Sequence, residues 1–461
     1  MSRSVLVLFI LALGLGLYLW LVEMPMERKR AHIETESKQL VNFKDSDVQS
    51  FTLHSATGDL EVSRSDGDRA GTWTIIQPRA MEADRQAVDQ FLRTLILAKV
   101  SRIVDDSGKD LSTYGLAVPS MSVSVRLPTS NQTLLFGDAG PLSSSLYAKR
   151  EGDSRILLTS LSAREILTKG LQDFRRKRVL EFDPARVTRL KIANPHEVVI
   201  LYKEGQGEKA TWIIKAPLAT TADQPEVRSL LFGLEDLKAQ GFIDDPQERR
   251  AKRKELRTPL TTITVHQDSP GGHTVETDQT ISLFVSSKNA LTAYGETSPQ
   301  EPIYLVPAAS VKDLAKNLFA LRTKQLIAAA PDHVKTLVIK KGGEEYSLTH
   351  EGTDWLVDGD PGQKAEAGRI NMLVSRILRL QAERIVTDKP QALKAYGLAL
   401  PVAEVTAADS QGKVLGRLAV GRQENHLAFA QGSAISGVLQ IRPDILQEIP
   451  TKSDLTKPPA P

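Results

Sequence analysis

Thr-Trp-Thr-Ile-Ile-Gln-Pro at residues 72–78 returns as Thr-Trp-Ile-Ile-Lys-Ala-Pro at 211–217 and as Asp-Trp-Leu-Val-Asp-Gly-Asp-Pro at 354–361. Trp73, Trp212 and Trp355 lie 139 and 143 residues apart, and an acid follows each 11 residues later: Asp84, Asp223 and Glu366. Apolar residues then recur at offsets 15, 18, 19 and 22: Val88/Phe91/Leu92/Leu95, Val227/Leu230/Leu231/Leu234 and Ile370/Leu373/Val374/Ile377. Self-similarity at a fixed period marks a repeat array, and this period is domain-sized. A length of 461 residues, at ~150 per domain, independently suggests three domains.

Each copy opens on an alternating apolar and polar run, at Val48–Leu53, Val187–Ile192 and Val334–Ile339, which reads as a half-buried strand. The 25, 25 and 21 residues from that Val to the Trp leave room for a second strand, so a small antiparallel meander is expected. Pro78, Pro217 and Pro361 should end the Trp strand, because proline lacks the N–H a ladder needs. The apolar offsets i, i+3, i+4, i+7 then define a helix face able to lie on the sheet, with the acid in the cap region. Ile103, Phe242 and Ile385, all 30 residues past their Trp, open a short extended piece.

At offset 41, modules one and three carry Tyr114-Gly115-Leu116 and Tyr396-Gly397-Leu398, followed by Pro119 or Pro401. Module two reads Glu255-Leu-Arg-Thr-Pro259 and lacks Tyr-Gly, so that turn is not required of every copy. Short strands separated by turn residues fill the back half of each module. A second helix should follow, opened by the capping-box spacings Ser162–Glu165 and Ser310–Asp313, and by Pro443 in module three. The expected fold is α+β: three tandem modules of antiparallel sheet plus two helices each, at 35–178, 179–324 and 325–457, with a tail at 458–461.

Ahead of the modules, residues 1–34 contain an 18-residue run without charge, Val5–Val22, nearly long enough as a helix to match a ~30 Å hydrocarbon layer. It exceeds the ~7–15 apolar residues of a cleaved leader and has no small-x-small site after it, so it reads as an uncleaved transmembrane anchor. Arg28, Lys29 and Arg30 lie just past the span and on the positive-inside rule favour a cytoplasmic domain, whereas the short N-terminal tail with Arg3 has the form of a signal anchor that exports the rest of its chain.

The Trp strand ending in Pro, the Ala-Asp pair heading a helix, the Tyr-Gly-Leu-x-x-Pro turn, a Phe-Gly strand end and a basic Arg-x-Lys link together resemble the bacterial domain of unknown function 4340 family, over residues 35 to 455. The resemblance implies an inner-membrane protein with one span at 5–22 and its large domain in the periplasm, encoded beside ABC-type transporter components. It implies no known activity. Module two's lost Tyr-Gly and module three's missing Pro at offset 5 depart from the pattern.

Composition narrows the function classes. Hydrophobic content of 41% and charged content of 25% are those of an ordinary globular chain. A net charge of +3 gives no global field for nucleic acid, and zero cysteines exclude disulfides and thiolate metal sites. The eight histidines show no short metal-ligand spacing, and no nucleophile elbow, phosphate loop or dinucleotide fingerprint occurs. Neither cofactor nor metal is expected. Asp84, Asp223 and Glu366 are candidate surface carboxylates, but a cap role explains them without function. Tyr114 and Tyr396 are the other candidates. The Trp residues could stack on a glycan, yet a Trp within an alternating strand is more often core. The basic runs 28–30, 175–178 and 249–254 read respectively as a lipid-headgroup contact, a solvated junction and an exposed helix. The expected function is a non-enzymatic, membrane-tethered scaffold or binding module of an ABC-type transport system; the alternative is a glycan- or peptide-binding or hydrolytic envelope protein.

Overall fold

The computed structural model of the chain describes residues 39–455, apart from 66–70, 120, 143–144, 161–168, 206, 269–276, 287–290 and 299–300. The span at 5–22, the basic run at 28–30, the capping box of Ser162 and Glu165 and the tail lie outside the described residues. Among the described residues no helix is long and apolar enough to cross a membrane. The chain divides into two units, 1–177 and 178–461, the second holding modules two and three.

Each module is one nine-stranded sheet, with the same strand order 4-3-2-1-6-7-8-9-5 in all three. In module one the strands are, in chain order, Ser50–Ser55, Gly58–Arg64, Trp73–Gln77, Met81–Glu82, Val100–Asp105, Met121–Arg126, Asn131–Ala139, Ser145–Arg150 and Ile156–Ser160. All neighbours run antiparallel, and the front meander joins the back half through the first and sixth strands, where Phe51 faces Val125 and Leu53 faces Val123. The expected meander and the later strands are therefore one surface, and the modules are mostly β.

The connection from the fourth strand to the fifth has to travel from one sheet edge to the other. A long helix makes that crossing in each copy: Arg85–Leu97, Gln224–Glu235 and Ala367–Arg379. Its buried residues include the four that the sequence periodicity marks, Val88, Phe91, Leu92 and Leu95 in module one. They meet the inward side chains of the strands, with Phe51 stacked on Phe91 at 4.7 Å between ring centroids and Trp73 edge-on to Phe51 at 6.3 Å. Trp73, Trp212 and Trp355 are all buried in these cores.

Two expectations need correction. Ser310 does not open a helix: the helix Ala308–Leu314 begins two residues earlier, from Pro307. In module three the second helix is Ile445–Glu448, opening just after Pro443, while the one expected from Ser162 in module one lies outside the described residues. Pro361 does not terminate the Trp strand of module three. That strand, Asp354–Val357, turns back through Asp358 and Gly359, with φ of 52° and 71°, and Pro361 sits within the edge strand Asp360–Ala365. Two positive φ values in a two-residue turn match the twist of the strands they join, and an edge strand tolerates proline.

The missing Tyr-Gly of module two is matched by two further changes. In module one the Tyr114 turn, with Gly115 at φ 66°, lies over the seventh strand so closely that a Cβ on Gly137 would sit 2.0 Å from the Tyr114 carbonyl oxygen. In module three a Cβ on Gly421 would sit 2.3 Å from the Tyr396 carbonyl oxygen. Both strands break register there, between Phe136 and Ala139 and between Val420 and Gln423. In module two the equivalent position is Phe284, and its ladder runs through without a shift. The exposed helix Pro246–Glu255 takes the place of the turn. Its Lys252 amine lies 5.0 Å from the ring of Tyr294, on the eighth strand. In modules one and three the equivalent rings, Tyr147 and Phe429, are covered by Tyr114 at 5.0 Å and Tyr396 at 5.1 Å.

Gly137→Ala should therefore destabilise the first unit by roughly 1–3 kcal/mol, the usual cost of forcing atoms into a packed position. In module two the order reverses: Phe284→Gly should cost about 3 kcal/mol or more through the cavity it opens. Urea unfolding of the two variants checks both.

Candidate functional site

The sequence-marked acids occupy structural positions. Asp84 caps its helix and accepts from the Ala87 N–H at 3.1 Å, and Asp223 does the same for Glu226 at 3.2 Å. Glu366 stands at the same cap position without a side-chain cap bond. The caps are held by the module's own exit: the Asp84 N–H donates to the Phe174 carbonyl and the Asp223 N–H to that of Leu321. Tyr114 and Tyr396 are half-buried in the ring pairs above. Asp84 and Tyr114 belong to the sheet module of the first unit, and in the second unit Asp223 belongs to one sheet module and Glu366 and Tyr396 to the other. Among the described residues no group of three or more metal-ligating side chains could hold an ion.

Two features stand out within the second unit. The first is the junction of modules two and three, where the segment after Leu321 is stitched to both. The Thr323 N–H donates to the Thr221 carbonyl at 3.0 Å, and the Leu326 N–H to that of Leu380 at 3.2 Å. Lys324 Nζ lies 3.5 Å from the capping carboxylate of Asp223. The Arg322 side chain, 1% exposed, donates from Nη1 to Asp388 Oδ1 at 2.6 Å. Beside it is a cavity of about 530 Å³, with Arg322 and Asp388 among its lining residues. A buried guanidinium is costly unless paired and hydrogen-bonded, so this residue commits the junction to one arrangement.

The second feature is the outer face of the second sheet. Cross-strand register makes Val198, Ile200 and Tyr202 the counterparts of Asp59, Glu61 and Ser63 in module one and of Glu345, Ser347 and Thr349 in module three. Ile213, opposite Tyr202, extends the patch. Val198 and Tyr202 are 41% and 40% exposed. On the next strand Lys191 faces Ile200, and Arg189, paired with Asp278 at 3.3 Å, faces Tyr202.

Neither feature was singled out by the sequence. Arg322 was visible only as part of a junction link, although Arg175 holds the same place one module earlier. The apolar patch shows only after the strands of three copies are aligned by register.

The architecture defines a tandem β-sheet repeat protein with one bracing helix per sheet. The family described as Domain of unknown function (DUF4340) matches residues 73–211, 212–366 and 355–454, and the chain belongs to that family. Each match begins at a module's Trp and, for the first two, runs on into the opening strands of the next sheet. No curated protein and no solved structure matches the chain.

Replacement by Ala should separate the three acids. Asp84→Ala and Asp223→Ala should each lose about 1 kcal/mol, the typical worth of an N-cap bond, while Glu366→Ala should lose little because no side-chain bond is removed. Chemical denaturation checks the ranking.

Proposed function

We propose that this protein is a non-enzymatic, membrane-tethered scaffold whose large domain faces the periplasm and docks a subunit of an ABC-type transport machine. The tether is the apolar run 5–22, and the transport association follows the family resemblance. The observation that carries the docking reading is the apolar patch Val198, Ile200, Tyr202 and Ile213, whose second-strand positions are polar in modules one and three. An unpartnered apolar patch with a polar rim marks an interaction surface. Lys191 at its edge favours a protein element with an apolar ridge flanked by a carboxylate, since complementary charge fixes register and rejects wrong partners.

The three copies supply their own controls. A benzoylphenylalanine photocrosslinker at Tyr202, in the full chain within membranes, should give one discrete protein adduct. The same probe at the equivalent Ser63 and Thr349 should not. Ile200→Glu should abolish the adduct and leave the fold intact, because Glu61 already occupies that position in module one. Equal adducts at all three sites, or adducts only to lipid or saccharide, would contradict the docking reading; saccharide alone would favour the glycan-binding alternative.

A further inference from the structure

The Arg322 guanidinium is incompletely satisfied. Nη1 is held by Asp388, while Nε and Nη2 are buried and, among the described residues, have no hydrogen-bond partner. Those two nitrogens share one edge of the guanidinium plane, the edge whose parallel N–H groups match the two oxygens of a carboxylate. An unanswered buried donor is unfavourable, more so when it is charged. Arg322 lines the junction cavity of about 530 Å³.

The cavity's other walls narrow the choice of anion. Glu197 and Glu383 line it with Asp388, and exposed Arg384 is the second cation; Glu383 is answered by Arg442 at 2.8 Å, so the site carries no net positive charge. Such a site gives a dianion such as phosphate no net attraction. It accepts a single carboxylate on Arg322 when the same ligand brings a cation toward Glu197. Leu318 and Ile385 add an apolar wall. We infer that the junction of modules two and three is a binding site for a short zwitterionic peptide, whose terminal carboxylate is read by the free edge of Arg322. The site is separate from the sheet face proposed above, so either can fail without the other.

The probe is the dipeptide Lys-Leu, compared with its C-terminal amide and with inorganic phosphate, by isothermal titration calorimetry on the full chain in detergent. The free-acid peptide should bind one to one, the amide at least 10-fold more weakly, and phosphate more weakly still. Arg322→Lys keeps the charge and removes the fork, and should weaken binding more than 10-fold. Should that variant fail to fold, Arg384→Glu changes an exposed side chain, and should weaken binding several-fold with an unchanged melting temperature. Equal binding of acid and amide, preference for phosphate, no binding of the dipeptide by the unmodified chain, or Arg384→Glu binding as well as the unmodified chain would each overturn the assignment.

Discussion

A helix of 13 residues has to connect opposite edges of a nine-stranded sheet, and the rest of each module depends on that requirement. Strands spaced ~4.8 Å apart would place the edges of a flat sheet of this size nearly 40 Å apart. The helix rises only ~1.5 Å per residue, about 20 Å in all. The sheet must therefore curl around the helix, and register breaks along several of its strands supply local bending. Four helix side chains fully buried in this wrap contribute roughly 6–12 kcal/mol at the usual worth per apolar side chain, an upper figure because the unfolded chain also hides some surface. The cap at Asp84 adds about 1 kcal/mol. Packing of helix on sheet thus outweighs capping several-fold, and the cap trims the helix to length.

Because the module occurs three times in one chain, each copy shows which features the fold requires and which it lets vary. The Trp, the helix face and the strand order recur in every copy. The Tyr-Gly turn does not, and its loss in module two travels with Phe284 in place of a glycine, an unbroken ladder and the basic helix Pro246–Glu255. That helix suits its exposed place: Asp245 caps it, and Lys252, Arg253 and Lys254 meet the negative end of its dipole. Arg253 also pairs with Glu296. Its basic residues thus contribute to its own stability and anchoring.

Much of this was legible in the sequence because periodicity reports burial. The offsets 15, 18, 19 and 22 from each Trp named the helix residues that are buried, and the alternation at Val187–Ile192 found a strand observed at Val187–Ala193. Local chemistry was less reliable where two signals compete. Pro361 looked like a strand end, but the Asp358-Gly359 turn reverses the chain before it, and Ser310 looked like a cap although Pro307 starts that helix. Pairing between distant strands leaves no local trace, so the single nine-stranded sheet, the apolar outer face of module two and the buried Arg322 of the junction needed the three-dimensional register.

Native-state hydrogen exchange of the first unit in increasing denaturant tests the bracing helix most directly. If the helix sets the sheet's curl, amides in Arg85–Leu97, in the edge strand Val100–Asp105 and in the central strands Ser50–Ser55 and Met121–Arg126 should converge on one opening with one free energy and one denaturant dependence. A helix that exchanges through its own smaller opening, while the central strands stay protected up to global unfolding, would contradict the bracing role.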